Sequence, residues 1–310
     1  MPARKKFINF AKKHMTVRYA VGADIGGSHI SSAVVDLSTG VLVTAPAVTT
    51  VDNKASATEI LKGWCSNIRE TLSRCDFPVK NIGFAFPGPF DYDRGISLIA
   101  GVSKFDNIFG LDVGESLKAM LGTDAVDMEF RYVNDASAFA LGECLGGAAK
   151  EDDRVIALTL GTGVGSGFVA SHKLVDRSED VPANGWVYCL PFEDSIVDDA
   201  FSTRWVIKRY KELTGREVSG AKEVADMYDK ELQAKQLFEE YGERMAAFVS
   251  PLLEKFRSRT LVLGGNISRA YPLFAASLEA GFRQRGMDVN VKSSILLDKA
   301  ALIGAASLFI

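Results

Sequence analysis

Two short apolar runs, each broken by a tight glycine turn and then resumed, stand about 135 residues apart in this 310-residue chain. In the first, Tyr19 to Ala23 leads through Asp24-Ile25-Gly26-Gly27-Ser28 into Ile30 to Val35. In the second, Val155 to Leu160 leads through Gly161-Thr162-Gly163-Val164-Gly165 into Gly167 to Ala170. Each predicts strand, turn, strand. Such turns expose backbone N–H groups that form a concave anion site suited to phosphate. Asn134-Asp135 lies between them in sequence. Two phosphate loops with a carboxylate between them point to a nucleotide cleft.

The remaining pattern alternates strands and helices in both halves, which predicts an α/β chain with a sheet flanked by helices in each. A third strand is expected over 41–48. Ile60, Leu61, Trp64, Ile68 and Leu72 then recur at helical spacing over 56–74. A buried strand over 79–86 ends at Pro87-Gly88-Pro89, and a short helix spans 111–121. A strand over 130–133 precedes a helix over 135–145. Later helices are expected over 230–256, 268–285 and 299–308, with strands over 260–263 and 289–291. The expected division is an N-terminal domain over 1–133 and a C-terminal domain over 134–298, with a hinge near Val133 to Ala136. The closing helix over 299–310 packs back on the first domain in this reading.

Other glycine motifs do not fit. A dinucleotide fingerprint needs G-x-G-x-x-G opening a helix. Counting from Gly161 the sixth position is Ser166, from Gly163 it is Phe168, and a strand follows. The G-x-x-x-x-G-K-[ST] phosphate loop occurs nowhere in the chain. A third glycine pair, Gly264-Gly265-Asn266, sits between a strand and a helix. It is either a plain turn with Ser268 as N-cap or a place where a nucleoside meets the backbone closely.

Composition sets outer bounds. A net charge of −3 gives no overall footprint for nucleic acid. Cys65, Cys75, Cys144 and Cys189 are scattered without a CxxC pair, so neither a disulfide framework nor a zinc ribbon is expected and a cytoplasmic setting is simplest. No apolar run is long enough to span a membrane. Residues 1–18 carry six Lys or Arg and no acid. They lack the apolar stretch of a secretory signal and are either a solvated leader or a surface-binding helix.

In this order, strand-DIGGS-strand, Asn134-Asp135, LGTGVGSG, LVLGGNIS and the closing AALIGAA resemble the ROK family of repressors and sugar kinases. Phe86-Pro87-Gly88-Pro89-Phe90-Asp91 also resembles its Pro-Gly loop near the sugar. The resemblance runs from about Tyr19 to the C-terminus. It implies the actin-like ATPase and sugar kinase fold, with ATP and Mg²⁺ as cofactors. It further implies Asp135 as general base and Asp24 on the metal side, through water. Gly26, Gly27 and Ser28 would hold the phosphates, with Thr162 and Gly163 opposite and Gly264, Gly265 and Asn266 along the adenosine. Pro87, Gly88, Asn134 and Asp135 would meet the sugar. A homodimer is possible on the same ground.

The chain departs from that pattern at two places. Ser28-His29 stands where the family turn carries Thr-Lys. Between Asp180 and Trp205 the family's Gly-Glu-x-Gly-His and its cysteine run are replaced by Pro182-Ala183-Asn184-Gly185-Trp186, with Cys189 alone beyond. One cysteine cannot make a tetrahedral site, so no structural zinc is expected. Asp198 is placed to grip a sugar hydroxyl, and Trp186 either stacks on the sugar or fills the core. The expected function is transfer of the ATP γ-phosphate to a hydroxyl of a hexose or hexosamine. A sugar-responsive regulator that keeps the fold is the alternative.

Overall fold

The computed structural model describes residues 18–101 and 104–310. The basic arm, apart from Arg18, lies outside them. In chain order the first part contains β1 (Tyr19–Ile25), β2 (His29–Asp36), β3 (Val41–Leu42), β4 (Ala47–Thr50), α1 (Ala57–Ser73) and β5 (Asn81–Phe86). The short hairpin β6 (Phe90–Asp91) and β7 (Ile96–Ser97) follows, then α2 (Val113–Leu121), β8 (Glu129–Asn134) and α3 (Asp135–Gly146). Next come β9 (Arg154–Leu160), β10 (Val164–Ala170), β11 (Lys173–Leu174), β12 (Pro191–Phe192) and β13 (Ser195–Ile196). The chain continues through α4 (Val197–Phe201), α5 (Thr203–Thr214), α6 (Ala221–Ala225) and α7 (Leu232–Phe256). It closes with β14 (Thr260–Gly264), α8 (Tyr271–Gln284), β15 (Asn290–Ser293) and α9 (Lys299–Ala306).

The two main sheets share one topology. The first runs β3-β2-β1-β5-β8, with β4 also on β2, and the second runs β11-β10-β9-β14-β15. In each, an antiparallel glycine-turn hairpin leads the sheet and two parallel strands follow it. The turn between β1 and β2 therefore has its counterpart between β9 and β10. Asp135 at the start of α3, after β8, corresponds to Asp298 just before α9, after β15.

Helices α3 and α9 cross where the two sheets meet. Their contact is built from small residues, among them Ala138, Ala140, Ala300 and Ala305. A Cβ on Gly142 would overlap the Ala300 carbonyl, and one on Gly304 would overlap the Ala138 carbonyl. Glycine at both positions lets the helix backbones touch. Beyond the crossing α9 lies on β1 and β5, where Gly22 and Gly83 leave room for the Leu302 and Ala305 carbonyls. Large cores fill the outer sides: Trp64, Phe84, Phe86 and Phe105 in one, Phe168, Phe201, Tyr241 and Phe274 in the other.

Local signals account for most element ends. Ser56 caps α1: its hydroxyl accepts the Glu59 N–H at 3.3 Å, and the Glu59 carboxylate accepts the Ser56 N–H at 3.0 Å. The strand expected over 41–48 is two strands. Pro46 has no N–H for the ladder, and pairing to β2 resumes only at Ala47. Nor does the helix expected from Ser268 start there. Residues 267–270 form a 3₁₀ turn, and Pro272 fits the first turn of α8 instead. Ser268 is not an N-cap; its hydroxyl donates to the Gly265 carbonyl at 2.7 Å.

Candidate active site

The first glycine turn spans residues 26–29 between the paired Ile25 and Ile30, closed by the Gly26 N–H donating to the His29 carbonyl at 2.9 Å. The second is one residue shorter, 161–163 between the paired Leu160 and Val164. Among the described residues no protein acceptor meets the N–H of Gly27, Ser28, Thr162 or Gly163. Those donors are free for a ligand.

Two adjoining cavities open beside the turns. One of about 720 Å³ has Asp24, Gly26, Gly27, His29, Pro87, Lys104 and Asp298 in its wall. The other, about 670 Å³, has Asn134, Thr162, Gly163, Trp186, Tyr188 and Asp198. Gly88, Asp135, Ala136, Thr159, Gly265 and Asn266 line both, so they form one cleft. Thr159 is the topological counterpart of Asp24, two residues before each turn's first glycine.

Most of the expected site residues meet here, with three differences. Gly264 is buried in β14 with the Phe139 ring against its Cα, so it is a packing glycine and not a cleft residue. Gly265 does face the cleft; its φ of +81° and the Leu160 backbone beside it exclude a side chain. Ser28 lines neither cavity through its side chain, which lies 3.4 Å from the His29 ring nitrogen Nδ1. Pro87 belongs to the cavity of the first glycine turn, whereas Gly88 reaches both.

Asn134, not Asp135, caps α3. Its Oδ1 accepts the Ala136 and Ser137 N–H groups at 3.1 and 3.3 Å, and its Nδ2 donates to Tyr92 Oη at 3.3 Å. This cap fixes the corner on which Asp135 stands. The Asp135 side chain opens into the cleft, and the protein walls around it raise its carboxyl above the ordinary 3.8. Donation to it from the Ala136 N–H at 2.9 Å opposes that rise without cancelling it. Asp24, half-buried in β1, is pushed up to about 7, first by burial and then by the charges of Asp135 and Asp298.

Asp198 holds the second turn. Its Oδ1 accepts the Val164 N–H at 2.7 Å, and its Oδ2 pairs with Arg204. Arg204 in turn donates to the Thr162 carbonyl at 2.8 Å, and the Thr203 N–H donates to the Gly161 carbonyl at 2.8 Å. Contacts from α4 and α5 thus hold the turn at Gly161, Thr162 and the paired Val164 that closes it. Trp186 is half-buried, with its ring centroid 6.1 Å from that of Tyr188, and both rings line the second cavity.

The model of the ROK family matches residues 20–180, over half of the chain. The chain belongs to the ROK family. A glucokinase from Thermotoga maritima is 25% identical over 93% of this chain and 96% of its own. An N-acetyl-D-glucosamine kinase from Haemophilus influenzae is 26% identical over 93% and 98%. The crystal structure of a ROK family glucokinase from Streptomyces griseus, in complex with glucose and AMPPNP, superimposes with a TM-score of 0.67. It is 23% identical and covers 94% of this chain and 98% of that one. The fold is the actin-like ATPase fold of the ROK sugar kinases.

Lys104, Asp298 and Tyr188 line the cleft without having been singled out by the sequence. Only Asp298 carried a usable signal, as an acid directly before the AALIGAA helix.

Proposed function

We propose that this ROK protein is an ATP-dependent sugar kinase that transfers the γ-phosphate to a hydroxyl of a hexose or hexosamine. The observation that carries this reading is Asp135, one carboxylate at a rigid strand-to-helix corner that lines both cavities. A donor phosphate beside the glycine turns and an acceptor hydroxyl beside Trp186 would meet at that group. Phosphoryl transfer asks the protein mainly for positioning, charge neutralisation and a base for the hydroxyl proton. A carboxyl held above its ordinary pKa accepts that proton more readily.

In this account the free N–H groups of Gly27, Ser28, Thr162 and Gly163 cradle the phosphates, and Gly265 and Asn266 lie along the adenosine. Gly88, the Asn134 amide and the Trp186 face bound the sugar; an aromatic face suits sugar C–H surfaces. Asp198 acts on the donor phosphates through the second turn and not on the acceptor, since both its oxygens are engaged. The lobes 1–133 and 134–298 close about the α3–α9 crossing, which excludes water from the reacting groups. The glucokinase and N-acetyl-D-glucosamine kinase relatives favour a hexose or hexosamine acceptor, and the AMPPNP complex favours ATP.

Mg²⁺ accompanies ATP in this reading. Among the described residues no group of three or more His, Cys, Asp or Glu could hold a metal ion. The donor set instead fits a water-held ion completed by phosphate oxygens. Asp24 and Asp298 would hold it, because a cation there would offset the neighbouring carboxylate charges that add to burial in raising Asp24. When bound, it supplies positive charge opposite the phosphates.

A sugar-responsive regulator is the second reading, favoured by the altered segment around Trp186. An ADP-release assay with Mg-ATP over hexoses, N-acetylhexosamines and pentoses separates the two. Turnover on one sugar class is expected. Tight sugar binding with no ADP release from any of them would establish the regulator.

A further inference from the structure

The first glycine turn carries no lysine or arginine of its own. One arrives from elsewhere. The Lys104 side chain runs along Gly27, with its Nζ 3.5 Å and its Cε 3.6 Å from the point where a Cβ would stand. A Cβ at position 27 would stand in ordinary van der Waals contact with it. Lys104 lines the same cavity as Asp24, Gly26 and Asp135. Among the described residues it makes no ion pair and no side-chain hydrogen bond, so its three donors are uncommitted.

Its position is built, although the side chain is exposed. The Asn53 side chain donates to the Gly27 carbonyl, and the Asn53 carbonyl accepts the Phe105 N–H at 2.9 Å. One residue thus ties the turn to the backbone immediately after Lys104. Phe105 is 1% exposed and packs on Trp64 at 5.7 Å between ring centroids. Asn107 adds donations to the Lys54 and Ala55 carbonyls at 3.0 and 2.8 Å. The chain beside Lys104 is therefore fixed to the same frame as the glycine turn.

The cavity's other strong cation, Arg269, stands beyond Gly265 and Asn266 at the nucleoside end. Lys104 alone among the cavity's lysines and arginines lies against the first turn. A compact ammonium beside free backbone N–H groups is a phosphate site, with lysine acting as a point charge. We propose that Lys104 contacts the terminal phosphates of the bound donor and neutralises charge there. This rests on the kinase reading for the identity of the donor, but the polyphosphate chemistry stands by itself.

Calorimetry with AMPPNP, AMP and inorganic tripolyphosphate tests it on native protein and on Lys104→Ala, Lys104→Gln and Lys104→Arg. Loss of a charged hydrogen bond predicts roughly 10- to 100-fold weaker AMPPNP and tripolyphosphate binding in the Ala and Gln variants. AMP and sugar affinities should stay within about twofold, and Arg should recover much of the loss by keeping the charge. Equal AMPPNP affinity in native and Lys104→Ala protein would overturn the inference while leaving sugar turnover, and the kinase reading, intact. Equal weakening of AMP, AMPPNP and sugar would also overturn it, as a structural effect. Lys104-dependent tripolyphosphate binding without turnover of any sugar would keep the site and remove the kinase reading.

Discussion

Asp198 and Val164 are 34 residues apart, yet the Asp198 carboxylate accepts the Val164 N–H at 2.7 Å and so sets the end of the second glycine turn. Gly163 makes room for it: a Cβ there would sit 2.8 Å from the same oxygen. The acid clamps the loop from behind.

Asp198→Ala should leave the buried Val164 N–H unsatisfied and free Arg204. A charge-assisted bond of this kind is worth about 1.5–3 kcal/mol. We expect a lower unfolding midpoint in denaturant, faster amide exchange at Val164 and a raised KM for ATP. Unchanged exchange at Val164 would show that the clamp contributes nothing in solution.

Asp24 makes stability depend on pH. Unfolded, it titrates near 3.8; folded, near 7. Between these values the folded chain keeps a proton that the unfolded chain has released. Stability therefore falls as pH rises through this window and stays reduced above it. Asp24→Asn removes the titrating group, so it should raise Tm by several degrees at pH 8 and change it little near pH 4. A Tm difference independent of pH would contradict the shift.

Much of this cleft could be read from the chain because its turns are local patterns. Gly26-Gly27 and Gly161-Thr162-Gly163 announce themselves between apolar runs, and Asn134-Asp135 sits at a strand-to-helix boundary. Lys104 could not be found that way. It comes from the connection between β7 and α2, and only tertiary packing through Asn53 and Phe105 brings it to Gly27. Gly264 misled in the opposite direction, since a glycine that faces a ligand and one that faces Phe139 look alike in sequence. The split between β3 and β4 was legible at Pro46, and the start of α8 at Pro272, but apolar and helical periodicity masked both.

Close approach of α9 to the first sheet predicts a sharp contrast between two glycines. Gly83→Ala would drive a methyl into the Ala305 carbonyl, and a rigid backbone contact of this kind should cost about 3 kcal/mol. Gly161 has nothing within 4 Å of its would-be Cβ. Gly161→Ala should therefore stay within about 0.5 kcal/mol of the native chain in chemical denaturation. Similar losses at both sites would contradict the packing described for α9.

The β12–β13 hairpin is pinned by Arg244. Its guanidinium lies 4.8 Å from the Trp205 ring centroid and 5.6 Å from that of Phe192, and it pairs with Glu193 at 2.7 Å. Cys189 is exposed and free. Arg244→Met should lower stability by about 1–2 kcal/mol through lost cation–π contact, whereas EDTA should leave Tm unchanged. A fall in Tm on chelation, with stoichiometric zinc in the purified protein, would reverse this account.

The central claim is that Asp135 takes the acceptor proton, and Asp135→Asn tests it most directly. With the sugar that the native enzyme phosphorylates, kcat should fall roughly 10²- to 10⁴-fold, the range for loss of a general base. AMPPNP and sugar dissociation constants should stay near native, because the Asn134 cap and both glycine turns are untouched. A variant that binds both ligands and turns over at the native rate would contradict the claim.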